Sequence, residues 1–318
     1  MSEPAHLRLG IDLGGTKIEA IAIDGSGREL ERQRIATPRG DYGSTVRAIA
    51  GLVSGIENAL GRRGSVGIGI PGAVSPSTGT IKNANSTWLI GRPFDRDVAA
   101  ALGRPVRLAN DANCFALSEA RDGAGAGAEI VFGIILGTGV GGGIIVRGRP
   151  LVGRNAIAGE WGHNPLPWPR DGERPGPECY CGRRGCIETF LSGPGLARDH
   201  ALAGGGDHAA DRIAAHAAAG DAGARATMHR YLDRLGRALA HVVNILDPDV
   251  IVLGGGLSNI DSLTHGWPER MAAYVFSNQV DTRVVRNRHG DSSGVRGAAW
   301  LWAEDEVATA LGGARACL

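Results

Sequence analysis

Two stretches of this chain share one pattern: an apolar strand, a turn rich in glycine, and a second apolar strand. They are Leu7–Asp24 (LRLGIDLGGTKIEAIAID) and Ile130–Val146 (IVFGIILGTGVGGGIIV). Such a pattern predicts a β-hairpin at the start of each half of the chain. Although the identity between the two stretches is thin, the repetition indicates an internal duplication. We therefore expect two related halves.

Strand-like and helix-like segments alternate after the first hairpin, which predicts an α/β sheet. Apolar residues at helical spacing predict a helix at Tyr231–Leu246, and Asp247-Pro248 is expected to end that helix. The expected elements are a helix at about Thr45–Leu60, strands at 66–70 and Val106–Asn110, a helix from Asp111, a helix at Tyr231–Leu246, a strand at 249–253 and a last helix at about Gly297–Leu311.

Glycine is abundant, at 51 of 318 residues. That is about twice the usual share of roughly 7%. Much of the excess lies between β-branched runs, which indicates loops whose backbone approaches a ligand closely.

The first glycine turn follows Asp12. Successive backbone N–H groups in such a turn can form an anion-binding nest, and Thr16 adds a hydroxyl donor. Asp12 could hold a hydrated Mg²⁺ beside bound phosphates. A plain hairpin turn without a ligand is the alternative.

The second glycine turn, Gly137–Gly143, contains the spacing G-x-G-x-x-G. A dinucleotide fingerprint needs a helix directly after the glycines, but strand-forming residues follow here. The first turn does not match a P-loop either, because a P-loop needs Lys and then Ser or Thr directly after its last glycine. Here Thr16-Lys17 follows Gly15. Two phosphate-binding hairpins remain, and Gly254–Gly256, at the end of a buried-type strand, indicates a third close backbone approach suited to a nucleoside.

Asn110-Asp111 lies where a strand is expected to end and a helix to begin. Asp111 at that place would serve as a helix N-cap. A carboxylate at the carboxyl end of a strand can also accept a hydroxyl proton during phosphoryl transfer. The two roles do not exclude each other.

Three thiols lie within eight residues, at Cys179, Cys181 and Cys186, and His163 lies 16 residues upstream of the first. A Cys₃His set without a spare position is typical of structural zinc. Reduced cysteines without a metal are the alternative. Cys114 and Cys317 are interpreted as packing and tail residues.

Basic and acidic residues nearly balance, at 34 and 33, for a net charge of +1. This balance argues against nucleic acid or an anionic membrane as a partner. No window reaches the roughly 18 apolar residues of a spanning helix, and the N-terminus lacks signal-peptide features. The expected location is the cytoplasm.

Together these motifs resemble the ROK family (repressors, open reading frames and kinases). DLGGTK, NDAN, GTGVGGG, EWGH and CYCGRRGCIE occur in that family's order and spacing, from about Leu9 to Trp302. The resemblance implies an actin-like, hexokinase-type (ribonuclease H-like) α/β fold with two domains around a cleft. The expected domains are 1–115, with a helix at about 297–318 packed back on it, and 116–296, which would carry the zinc loop and a dimer surface.

More narrowly, segments such as KNANSTWL and HGDSSGVRGAAWLW resemble bacterial fructokinases of the manno(fructo)kinase type. The resemblance implies an ATP:hexose 6-phosphotransferase that acts on fructose as a homodimer. Kinases for glucose, mannose or N-acetylglucosamine are the alternatives. A sugar-responsive repressor is a remoter one, because it would need a DNA-binding module ahead of the first strand.

Carried over by position, the resemblance implies a role for each motif residue. Asp111 would be the general base, and zinc would be structural. Sugar contacts are expected from Asn85, Asn110, Asp111, Glu160, His163 and Glu188. Zinc ligands are expected at His163, Cys179, Cys181 and Cys186. ATP with Mg²⁺ is expected along Asp12, Gly14, Gly15, Thr16, Lys17, Gly137, Thr138, Gly139, Gly254, Gly255 and Gly256.

Overall fold

The computed structural model describes residues 6–311, which form β-strands and α-helices. The strands are β1 (Arg8–Leu13), β2 (Lys17–Ile23), β3 (Glu29–Ala36), β4 (Ser65–Ile70), β5 (Ala73–Val74), β6 (Ile81–Lys82), β7 (Val106–Asn110), β8 (Ile130–Leu136), β9 (Val140–Val146), β10 (Arg149–Pro150), β11 (Val250–Gly254) and β12 (Arg283–Arg286). The helices are α1 (Tyr42–Leu60), α2 (Phe94–Leu102), α3 (Asp111–Arg121), α4 (Ile187–Leu191), α5 (Gly193–Leu202), α6 (Ala210–Ala218), α7 (Ala222–Leu246), α8 (Trp267–Ala272), α9 (Ser293–Ala299) and α10 (Val307–Ala310). Within residues 6–311, no helix is both long and apolar enough to cross a membrane.

Two five-stranded sheets have the same internal arrangement. Their strand orders are β3-β2-β1-β4-β7 and β10-β9-β8-β11-β12. In each sheet an antiparallel hairpin, β1–β2 or β8–β9, is continued on one side by two parallel strands. The repeated sequence pattern therefore corresponds to a repeated architecture.

Each sheet has its own hydrophobic core. In the first, β1 and β4 pack with α1 and α2, and in the second, β8 and β11 pack with α7 and α8. The buried strands are rich in β-branched residues, as expected for strands that are covered by helices.

The chain divides into two compact units. The first consists of residues 6–123, Pro150–Ala158 and 291–311, and the second of Ala124–Arg149 and Gly159–Gly290. The expected boundary at residue 115 falls inside α3, which packs against α9 and so stays whole in the first unit. The expected division also assigned Pro150–Ala158 to the second half, whereas these residues belong to the first unit.

The C-terminal part of the chain differs from the single helix expected at about Gly297–Leu311. A short helix, α9, packs against β1 and β4 and ends before Trp300. The indole of Trp302 then donates to the carbonyl of Val66 at 2.8 Å, and α10 follows. Residues 312–318, with Cys317, lie outside the described part.

A buried carboxylate anchors the cysteine-bearing loop to α7. Oε1 of Glu173 accepts hydrogen bonds from Arg234 (2.7 Å) and Arg237 (2.8 Å), and Oε2 accepts from the backbone of Arg170. Burial by itself would raise the pKa of Glu173, but the hydrogen bonds from Arg237 and Arg234 outweigh it and hold the pKa at about 2. Glu173 is therefore ionised and stabilising at neutral pH.

Replacing Glu173 with glutamine should lower the free energy of unfolding by about 3 kcal/mol at pH 7. A carboxylate with a depressed pKa stabilises the fold above its ordinary value of 4.5 and loses that contribution as the pH falls toward 2. The difference between wild type and Glu173→Gln, measured by urea unfolding from pH 7 to pH 3, should therefore narrow below about pH 4.5.

Glu178→Gln is the matched control, because Glu178 pairs with Arg184 at the surface and its side chain is 81% exposed. Its effect should stay within about 0.5 kcal/mol. Equal stabilities for the Glu173 and Glu178 variants would show that Glu173 does not anchor the loop.

Candidate functional site

In the first unit, two candidate carboxylates lie at one edge of the sheet. β1, β4 and β7 are parallel, with Asp12 opposite Gly69 and Ile70 opposite Asn110. The carboxyl ends of these strands therefore share an edge, the usual place for ligands in such sheets. Asp12 and Asp111 both lie there, on either side of the end of β4.

Asp12 has an unusual electrostatic environment. Burial raises its pKa, and the neighbouring carboxylates of Asp111 and Glu19 raise it further, to about 6, against an opposing effect of Lys17. Such a site favours a cation, because a positive charge relieves the repulsion between carboxylates. Asp12 is thus suited to the hydrated Mg²⁺ that the sequence predicts beside it.

The helix cap is Asn110 and not Asp111. The side chain of Asn110 accepts a hydrogen bond from the backbone of Ala112 at 2.9 Å. Asp111 is the first residue of α3, and its Oδ1 accepts from the same N–H at 2.8 Å. Because Asn110 supplies the cap, the exposed carboxylate of Asp111 is not required for that purpose.

Asn85 and Asn110 converge on the segment that follows β4. The backbone of Asn85 donates to the carbonyl of Pro71 at 3.2 Å. The side-chain amide of Asn110 donates to the adjacent Gly72 carbonyl at 3.4 Å. The first unit thus brings together the predicted site residues Asn85, Asn110 and Asp111.

The turn between β1 and β2 is short and open to solvent. The backbone N–H of Gly14 donates to the backbone carbonyl of Lys17 at 3.0 Å, and the hydroxyl of Thr37 donates to the Gly14 carbonyl at 2.8 Å. Gly15, Thr16 and Lys17 are exposed. This part of the turn is accessible to a phosphate.

In the second unit, the β8–β9 turn and the triple glycine lie together. β11 pairs with β8 in parallel, so that Gly254 is opposite Ile135. Gly255 has a φ of 77° and lies so close to the carbonyl of Leu136 that a Cβ would overlap it. Only glycine fits this approach, which places Gly254–Gly256 beside the turn that begins at Gly137.

Glu188 contacts the same turn. Its Oε2 accepts a hydrogen bond from the backbone of Val140 at 2.9 Å. A Cβ at Gly139 would lie 2.7 Å from that oxygen, so glycine leaves the space that the carboxylate occupies. Glu188, expected to contact sugar, therefore also fixes the turn expected to contact phosphate.

Glu160 is positioned by the residue that follows it. The ring of Trp161 packs edge-on against Phe132, and its indole donates to the carbonyl of Gly141 at 3.1 Å. These contacts fix the short 3₁₀ turn Trp161–His163 against β8 and β9. Glu160 is exposed at its start, and His163 lies at its end.

The predicted zinc ligands form one cluster. The ligand atoms of His163, Cys179, Cys181 and Cys186 all lie within 4.8 Å of one another. Two of the separations are 3.6 Å: Cys181 Sγ to Cys186 Sγ and Cys179 Sγ to His163 Nδ1. Tetrahedral zinc, with Zn–S near 2.3 Å and Zn–N near 2.0 Å, places its ligands roughly 3.5–3.8 Å apart. The donor set and its spacing fit zinc.

The thiols of the cluster differ in their environments. Burial raises the pKa of Cys186 to about 12 and also raises that of Cys179. A hydrogen bond from the backbone of Arg183 lowers the pKa of Cys181. Metal binding would have to deprotonate the two buried thiols, so we expect metal affinity to increase with pH.

Tyr180, which belongs to none of the predicted site residues, contacts the histidine of this cluster. Its hydroxyl lies 2.9 Å from Nε2 of His163, and the two rings meet edge-on at 5.1 Å. Desolvation of the hydroxyl, followed by the charges of Glu188, Cys179 and Glu160, raises the pKa of Tyr180 to about 12. Its position between Cys179 and Cys181, two of the predicted zinc ligands, is the sequence signal that could have found it.

Comparison with known proteins identifies the family. The pattern of the ROK family matches residues 8–305, almost the whole chain. The chain belongs to the ROK family. This ROK protein is 44% identical over 301 residues to N-acetyl-D-glucosamine kinases of Escherichia coli and Shigella boydii, covering 93% of its own length and 99% of theirs.

Solved structures agree with this assignment. A ROK hexokinase from Thermus thermophilus is 33% identical, with a TM-score of 0.79 over 93% of this chain and 97% of that one. A ROK glucokinase from Streptomyces griseus, solved with glucose and AMPPNP, is 30% identical, with a TM-score of 0.70 over 92% and 98%. The expected hexokinase-type, actin-like α/β fold is confirmed.

The expectation of a fructokinase is wrong. The similar proteins at 44% identity are N-acetyl-D-glucosamine kinases, a class that the sequence motifs indicated only as an alternative. The segments that suggested fructose, KNANSTWL and HGDSSGVRGAAWLW, cover the end of β6 with the turn after it and helix α9, and both also occur in a chain that is 44% identical to N-acetyl-D-glucosamine kinases. They therefore identify the family and do not discriminate between its sugars.

Proposed function

We propose that this ROK protein transfers the γ-phosphoryl group of ATP to the 6-hydroxyl of N-acetyl-D-glucosamine. The observation that carries the proposal is the 44% identity to N-acetyl-D-glucosamine kinases along 99% of their length. The similar Streptomyces griseus glucokinase was solved with glucose and an ATP analogue, which supports a sugar and a nucleotide as the two substrates.

Asp111 is the proposed general base. It lies at the carboxyl edge of the first sheet, and the helix cap is supplied by its neighbour Asn110. In the reaction, the 6-hydroxyl oxygen forms a bond to the γ-phosphorus while the bond from that phosphorus to the β-γ bridging oxygen breaks. The hydroxyl proton passes to the carboxylate of Asp111, and ADP leaves.

The remaining polar residues of the two sites are proposed to hold the sugar. Ionised carboxylates accept hydrogen bonds from sugar hydroxyls, and amide side chains both donate and accept. Sugar contacts are proposed for Asn85 and Asn110 in the first unit, and for Glu160, His163 and Glu188 in the second.

The glycine turns are proposed to bind the nucleotide. The exposed turn at Gly15 and Thr16 and the turn at Gly137–Gly139 present backbone amides suited to phosphate oxygens. Gly254–Gly256, beside the second turn, is proposed to contact the nucleoside. Mg²⁺, held near Asp12, would neutralise charge on the phosphates.

Zinc is proposed as a structural metal held by His163, Cys179, Cys181 and Cys186. Four protein ligands leave no open position for a catalytic water. The cluster connects the 3₁₀ turn that follows Glu160 to the segment just before Glu188. The metal would thus fix the two carboxylates that are proposed to contact the sugar.

The test is kcat/KM with ATP for N-acetylglucosamine, glucose, mannose and fructose. N-acetylglucosamine should exceed each of the others by at least about tenfold, since a few pocket contacts worth about 1–3 kcal/mol each decide such preferences. A non-acetylated sugar with the highest kcat/KM would overturn the substrate assignment. The absence of turnover with all four sugars would overturn the kinase assignment.

A further inference from the structure

The contact between Tyr180 and His163 has a chemical consequence for the proposed zinc and sugar sites, on which this inference rests. Nδ1 of His163 points at the cysteine cluster, 3.6 Å from Cys179 Sγ, and Nε2 points at the hydroxyl of Tyr180. Each ring nitrogen thus has its own partner. Nε2 is also the atom that would face a sugar hydroxyl.

The direction of the hydrogen bond follows from the metal. A neutral imidazole that binds zinc through Nδ1 carries its proton on Nε2. Nε2–H then donates, and the oxygen of Tyr180 accepts. A metal-bound histidine commonly uses its second nitrogen in this way, and the partner fixes the orientation of the ring.

Because Tyr180 is exposed, its contact with His163 need not be permanent. Its side chain lies at the surface, with the residue 80% exposed, whereas Cys179 and Cys186 on the same loop are buried. The tyrosine ring can therefore leave His163 without opening the core. A sugar hydroxyl is an equivalent acceptor for Nε2–H.

We propose that Tyr180 is a positioning residue for His163, and that a hydroxyl of the hexose takes its place when the substrate binds. In the sugar-free protein Tyr180 orients the metal-binding imidazole. With sugar bound, a hydroxyl of the substrate orients the imidazole instead. Tyr180 and the hexose thus compete for one N–H group.

The first test measures zinc affinity without sugar, by competition with a chromophoric chelator. Tyr180→Phe keeps the ring and removes the acceptor, and its zinc affinity should be about tenfold lower than that of wild type. Saturating N-acetylglucosamine should abolish this difference, because the sugar supplies the acceptor in both proteins. Equal affinities without sugar, or a difference that persists with sugar, would overturn the proposal.

The second test follows from the reciprocity of the two equilibria. If sugar restores zinc affinity in Tyr180→Phe, zinc must strengthen sugar binding about tenfold more in the variant than in wild type. With similar sugar affinities for the two metal-free proteins, the zinc-loaded variant binds the sugar more tightly than wild type, by up to about tenfold. KM for the sugar should therefore fall while kcat changes little. A rise in KM would mean that Tyr180 contacts the sugar directly, contrary to the proposal.

Two further variants isolate the hydroxyl. Tyr42→Phe removes another hydroxyl, one that donates to Asp97 in the first unit, and should leave zinc affinity and KM unchanged. Tyr180→Ala should match Tyr180→Phe in zinc affinity, and an effect of the alanine variant alone would assign the role to the ring and defeat the proposal. An active wild type with no Tyr180→Phe effect would refute this inference alone, whereas an inactive wild type would refute the proposed function.

Discussion

Replacing Asp111 with asparagine should lower kcat for phosphoryl transfer by about 10²–10⁴-fold, the usual contribution of a general base. Asparagine keeps the shape of the side chain and its hydrogen bond to Ala112, but it cannot take the hydroxyl proton. Stability and sugar affinity should stay close to those of wild type, because Asn110 caps α3. Steady-state kinetics and calorimetric titration with the sugar measure the two effects.

Asp41→Asn is the matched control for this substitution. Asp41 is also a carboxylate at a helix start in the first unit, where it caps α1 by accepting from Ser44 at 2.9 Å. Asparagine caps about as well as aspartate, so kcat and stability should both be unchanged. If Asp111→Asn retains kcat within a fewfold of wild type, Asp111 is not the base.

Removing a ligand of the cysteine cluster should have the second large effect. Wild type should contain about one zinc per chain, and Cys186→Ser should contain almost none, because Cys186 is a buried member of a four-ligand set. Metal binding and folding of the loop are coupled, so the melting temperature and kcat/KM should both fall. Elemental analysis and thermal unfolding measure the outcome.

Cys114→Ser is the control for the loss of a buried thiol. Cys114 lies in α3 in the first unit and is fully buried, but it is not part of the cluster. This variant should lose some stability and keep its zinc. A metal-free wild type with full activity and an unchanged melting temperature would refute the zinc assignment.

Much of the fold could be predicted from the sequence because the strands and their turns have strong local signals. β7 was predicted with its observed bounds, and both glycine-turn hairpins are present. The start of α7 was missed by nine residues, since Ala222–Arg230 is rich in alanine and polar residues and lacks a clear apolar stripe. Asp221 caps the helix there by accepting from Ala224.

The candidate site was predicted less completely, for physical reasons. Motif residues such as Asn110 and Glu188 were identified, but their hydrogen bonds depend on elements far away in the sequence. The bond from Val140 to Glu188 joins residues 48 positions apart. The role of Tyr180 arises only from the folded loop, and sugar preference depends on a few contacts that shared family motifs do not encode.

With the proposed sugar contact of Glu188, the hydrogen bond between Glu188 and Val140 would limit how such a protein can change its substrate during evolution. A mutation of Glu188 that suits a new sugar also removes the support of the β8–β9 turn. A substitution of Glu188 that creates a new sugar preference would thus also weaken binding of the phosphate donor. Changes of sugar preference are therefore expected at sugar-site positions whose side chains do not also support a turn that binds the phosphate donor.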